Sequence, residues 1–129
     1  MTKLLCAAIV AASFISCNNT MNNPLLVKST NQYEAPAFDK IKSEHFLPAF
    51  REAIKEANRE IAAIAENKEQ PTFQNTIVAL SLAGETLNRV SGIFFNILEA
   101  NTDSLLQKTA EEISPELTKH NLSILFNEK

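Results

Sequence analysis

The stretch LPAFREAIKEANREIAAI, Leu47–Ile64, decides the fold. Its residues Leu47, Phe50, Ile54, Ala57, Ile61 and Ile64 follow a strict 3-4-3-4-3 spacing. A repeat close to 3.6 residues per turn places all six on one stripe of an α-helix. The spacing predicts a first helix over about Ser43 to Glu66, with Ser43 as N-cap and Glu44 in the first turn, where a carboxylate suits the positive end of the helix dipole. Pro48 removes the hydrogen bond to the carbonyl of Glu44, so the helix either kinks there or begins nearer Leu47. The polar run Asn67 to Pro71 closes it.

The same period continues toward the C-terminus. Thr72 can cap a second helix, whose seam holds Phe73, Ile77, Leu80, Leu87, Phe94 and Leu98, with Gly84 and Ser91 filling intervening seam positions. Thr76, Ala83, Val90 and Ile97 widen the stripe, which predicts one long helix over Thr72 to Ala100 covered on more than one side. Asn101-Thr102-Asp103 punctuates the chain. A third helix over Thr102 to Phe126 then carries Leu106, Ala110, Ile113, Leu117 and Ile124 in register, and Pro115 should kink it. Short connections fold successive helices back on one another. With only 2 Gly and 5 Pro in 129 residues the expected class is all-α, a single domain of three antiparallel helices.

Toward the N-terminus the character changes twice. Pro36 biases Ala35 toward extended backbone, and Phe38 can dock as an isolated apolar anchor, so order is expected to begin near Pro36. Residues 18–35 are polar and Asn-rich and read as a tether. Residues 1–17 read as an export signal: Lys3, an apolar run from Leu4 to Ile15 broken only by Ser13, then the small residue Ser16. The run falls short of the roughly 20 apolar residues that a membrane span needs. Phe14-Ile15-Ser16-Cys17 resembles a bacterial lipobox, with Phe14 where leucine is usual. In that reading cleavage precedes Cys17, which carries the lipid, and acyl chains anchor the protein to a membrane. Ordinary secretory cleavage is the alternative. Cys6 leaves with the signal in either case, and no disulfide framework remains. A net charge of −3 argues against nucleic acid as a partner.

Candidate chemistry is sparse. A zinc hydrolase of the His-Glu-x-x-His kind needs two histidines one helical turn apart with a glutamate between them. His45 and His120 are the only histidines, and neither lies in that motif. We assign neither as a ligand: His45 suits a capping or solvated role, and His120 packing or solvent. Gly-x-Ser-x-Gly is absent, and Gly84 and Gly92 fall inside a predicted helix, which rules out a glycine-rich phosphate loop. Glu111-Glu112 reads as a solvated helix face. No catalytic residue and no metal ligand is assigned in this chain.

Several segments in order resemble the thimet oligopeptidase family of zinc metallopeptidases, in its bacterial peptidyl-dipeptidase (dipeptidyl carboxypeptidase) branch. They are Ala35-Pro36-Ala37-Phe38-Asp39-Lys40-Ile41, His45-Phe46-Leu47-Pro48-Ala49-Phe50, Pro71 to Leu80, Arg89-Val90-Ser91, Phe94-Phe95-Asn96 and Ile113-Ser114-Pro115-Glu116-Leu117. The resemblance implies a mostly helical, two-lobed zinc peptidase acting on short peptides, in which residues 36–129 are N-terminal helices that help wall a substrate channel. The family's zinc ligands and general base lie in a downstream His-Glu-x-x-His helix that no segment here matches. On this reading the parent protein carries the zinc and the activity, and the 129-residue chain, truncated before the catalytic domain, is inactive alone. Ile124-Leu125-Phe126 and the wide face of the second helix are then expected to lack cover, which favours self-association of the fragment. The rival reading is a small helical lipoprotein that binds a partner.

Overall fold

The structure is a computed structural model, and it describes residues 22–128. Every regular element among them is helical: α1 Phe46–Ala65, α2 Ala79–Leu82, α3 Glu85–Ala100 and α4 Ser104–Leu125. A π-helical turn Phe73–Val78 leads into α2, and 3-10 turns lie at Gln32–Glu34 and Ser43–His45. The all-α class expected from the sequence is the one observed.

The core is built on α1, which is packed by α3 on one side and α4 on the other. Phe46 and Phe50 of α1 each place their ring centroid 5.1 Å from that of Phe94 on α3, both edge-to-face. A Cβ at Gly84 would stand 3.7 Å from the Cβ of Ala57. Going up α1 from Phe46 to Ala57 therefore means going down α3 from Phe94 to Gly84, so the two run antiparallel. Arg51 of α1 reaches Glu112 and Glu116 of α4, and Asn58 reaches His120, so α4 runs parallel to α1. The path is up, down, up.

The buried face of α1 is Phe46, Ala49, Phe50, Ala53 and Ala57. Of the six residues in the 3-4 stripe, Phe50 and Ala57 are buried, whereas Leu47, Ile54, Ile61 and Ile64 lie half-buried at its edges. The face is rotated because α1 is covered from two directions. Ala49 and Ala53 fill buried positions that a pattern weighted by bulky side chains passes over.

The second predicted helix is not one helix. Ala83 is extended (φ −64, ψ 139) and Gly84 is left-handed (φ 77, ψ 18), which separates the helical stretch Phe73–Leu82 from α3. Only glycine takes that φ without a Cβ penalty, so the residue read as a packing position is the junction itself. Thr72 does cap as expected: its hydroxyl accepts the Asn75 amide at 3.1 Å, and the Asn75 side-chain oxygen accepts the Thr72 amide at 2.7 Å.

The helix starts are defined by three residues. Ser43 opens a 3-10 turn instead of capping α1, and its hydroxyl donates to Asp103. Pro48 is the third residue of α1, where its missing N–H has no helical partner to lose, so the start nearer Leu47 is the correct alternative. Asp103 caps α4 by accepting the Leu106 amide at 2.7 Å, and α4 continues through Pro115 to Leu125.

Order begins well before Pro36. Asn23 and Leu25 are buried, and the Asn23 side-chain amide donates to the carbonyl of His45 at 2.7 Å. The described part of the polar stretch is therefore docked on the helices, because Asn23 exchanges its water for two backbone partners, His45 and Leu25. Phe38, expected as the anchor, is largely exposed, and Leu25 holds that place.

Candidate functional site

The two histidines are held at different levels of α1. His45 precedes α1, and its Nδ1 accepts the backbone amide of Lys42 at 3.1 Å. His120 of α4 is buried, and its Nδ1 lies 2.7 Å from the Asn58 side-chain oxygen. That oxygen only accepts, so the Nδ1 carries the proton and donates. Burial pushes the His120 pKa below its ordinary value. From His45 to Asn58 is 13 residues of chain, about 20 Å of helical rise, so one ion could not bridge the pair. Among the described residues no group of three or more His, Cys, Asp or Glu is placed to hold a metal ion.

Cys17, the assigned lipid attachment residue, lies outside the described residues. No helix among the described residues is long and apolar enough to cross a membrane.

Sequence reasoning gave no partner to three polar residues that the fold positions. Arg89 of α3 lines a pocket of about 220 Å³ under the docked N-terminal stretch, together with Leu25, Lys28 and Lys40. Its Nη2 donates to the Leu25 carbonyl at 3.5 Å, and its buried Nε has no hydrogen-bond partner among the described residues. Lys28 at the same rim pairs with Glu85 at 2.7 Å, and the hydrogen bond raises the lysine pKa and lowers that of the carboxylate. The pocket lies between the docked N-terminal stretch and α3. Asn58 and Glu112 are the other two. Asn58 was one more polar residue of a helix, and Glu112, read as solvated, receives Arg51 at 3.3 Å. Nothing in a single sequence separates these pairs from ordinary surface polarity, since their partners are about 60 residues away.

Among the described residues this arrangement locks helices together. No family model matches the chain. It is 45% identical over 108 residues to the dipeptidyl carboxypeptidase of Escherichia coli strain K12, a match covering 84% of this chain and 16% of that protein. It is 41% identical over 105 residues to the dipeptidyl carboxypeptidase of Salmonella typhimurium strain LT2, covering 81% and 15%. The chain thus spans less than a fifth of the length of these relatives, which are peptidases by name.

Proposed function

We propose that this chain is the N-terminal part of an exported zinc metallopeptidase of the dipeptidyl carboxypeptidase type, which removes C-terminal dipeptides from short peptides. Its helices contribute wall and support to the substrate channel of the parent protein, and the chemistry belongs to residues outside this chain. The observation that carries the reading is the 45% identity maintained over 108 residues with a protein of which they form 16%. A small partner-binding lipoprotein would not by itself account for that likeness. Zinc enters as the cofactor of the parent, since no ligand set for it is assembled among the described residues. We propose further that Cys17 is lipidated and holds the protein at a membrane, and that the chain in isolation self-associates.

The nucleotide sequence following the codon for Lys129 tests the reading. A continuation, in frame or frameshifted, that encodes His-Glu-x-x-His supports a peptidase, and expression of the joined reading frame should then release dipeptides from N-terminally blocked peptides. An unrelated downstream gene, together with a stable monomeric product that captures a specific partner, would favour the lipoprotein.

A further inference from the structure

The two ends of the helical unit are finished differently. At the Phe46 end the chain closes on itself: Leu25 is buried there, Asn23 bonds the carbonyl of His45, and Ser43 bonds the cap residue Asp103. The other end is open. Glu60, Ala63 and Ile64 of α1 face Ala79, Leu82 and Ala83, which brings the helical stretch Phe73–Leu82 to the C-terminal end of α1. Phe73, Ile77 and Leu80 on that stretch are 72%, 52% and 46% exposed. On the other flank α4 runs parallel to α1 with His120 beside Asn58. Continuing past His120 carries α4 toward the same end, where Leu125 and Phe126 are 74% and 73% exposed.

These five large apolar side chains flank the open end in two groups, each beside a further exposed leucine, Leu82 at 67% and Leu122 at 46%, whereas the opposite end exposes the more scattered Phe38 and Leu105. Such concentration marks an interaction surface. We propose that Phe73, Ile77 and Leu80 on one flank and Leu125 and Phe126 on the other form the seat for an apolar surface of the remaining polypeptide of the peptidase. The proposal rests on the reading of the preceding subsection and identifies the partner that reading requires. The occupant follows from the lengths: the match fills 84% of this chain and 16% of the Escherichia coli relative, so most of that relative's polypeptide lies outside the match and needs a surface to pack on.

The test is a chimera in which the matching residues of this chain replace those of the Escherichia coli dipeptidyl carboxypeptidase. An active chimera supports the family reading. In it, Phe73→Ser with Ile77→Ser, and separately Leu125→Ser with Phe126→Ser, should each lower the thermal midpoint by about 2 to 4 °C. Leu105→Ser, an exposed leucine at the start of α4 and the closed end, serves as control and should leave the midpoint unchanged. An active chimera indifferent to both double substitutions overturns the seat and leaves the family reading standing. An inactive, unfolded chimera counts against the family reading on which the seat rests. A discrete dimer of the 129-residue chain, abolished by the same substitutions while the chimera ignores them, would assign the surface to a second copy and overturn the proposal.

Discussion

The amide of Gly84 donates to the Glu60 carboxylate at 2.7 Å, at the point where the chain leaves one helical stretch and begins α3. The bond satisfies an N–H at the mouth of a new helix, and the left-handed φ of Gly84 turns the chain into α3.

Gly84→Ala should therefore destabilise the protein by about 1 to 2 kcal/mol, the usual strain of a side chain in the left-handed region. Packing is not the cause, since the added Cβ would meet Ala57 at an ordinary 3.7 Å. Gly92→Ala is the contrast. It lies inside α3 with nothing within 4 Å of the added Cβ, so it should stabilise by roughly 0.5 to 1 kcal/mol. Denaturant melts of the two variants followed by circular dichroism decide the matter. Stabilisation by both would mean that residues 72–100 form one continuous helix.

Phe94→Ala should cost about 3 to 5 kcal/mol, the range for deleting a buried aromatic ring. The ring touches Phe46 and Phe50 edge-to-face, so its loss opens a cavity shared by α1 and α3. Phe95 is its chain neighbour and also contacts it, yet is partly exposed, and Phe95→Ala should cost much less. Equal losses in thermal melts would remove Phe94 from the centre of the core.

The class, the three helical regions, the Thr72 cap and the break before α4 were legible because they depend on local periodicity and capping. Leu106 and Ile113 were placed in the seam and are buried. What escaped depends on distant partners. The helix break needs Glu60 opposite Gly84, the docking of Asn23 needs the carbonyl of His45, and the place of His120 needs Asn58. Each such residue is locally an ordinary polar or small one. The candidate site was less legible than the fold: the resemblance named the family branch of the relatives, and the residues themselves showed only that the catalytic motif is missing.

His120 predicts a pH dependence. Its pKa is lowered in the folded protein by burial, whereas the unfolded chain titrates near the ordinary 6.5. Below that value the unfolded state binds the extra proton, so stability present above it is lost as pH falls toward the folded pKa. Urea midpoints measured from pH 7.5 downward should show this loss in the native protein and lack this contribution in His120→Gln. Parallel curves for the two would mean that the His120 ring titrates freely in the folded state.

Cys17 predicts membrane attachment. Ser16 supplies the small residue before the cut and Cys17 the thiol after it, and Asn18-Asn19 open the polar stretch read as a tether. Cells labelled with a clickable fatty acid should incorporate it into the native protein and not into Cys17→Ala, which should leave the membrane fraction. Unlabelled protein that fractionates identically in both forms would point to ordinary secretory cleavage.

The last prediction is that the purified chain binds no stoichiometric zinc and releases no dipeptides. Tight zinc sites take three or four ligands within about 2.0 to 2.3 Å of one ion. Here His45 turns its Nδ1 to the Lys42 amide before α1, and His120 turns its own to Asn58 further along that helix. The carboxylates nearest His120 on α4 do not complete a set, because Glu116 is engaged by Arg51 at 3.1 Å. Gathering the two histidines would require breaking the contacts that hold α4 to α1. Elemental analysis after dialysis against micromolar zinc, paired with an assay on blocked peptides, checks both halves. One equivalent of retained zinc, lost in His45→Ala or His120→Ala, would show that the chain builds a metal site its fold does not display. Dipeptide release by the same preparation, abolished by those substitutions, would move the catalytic role into this chain.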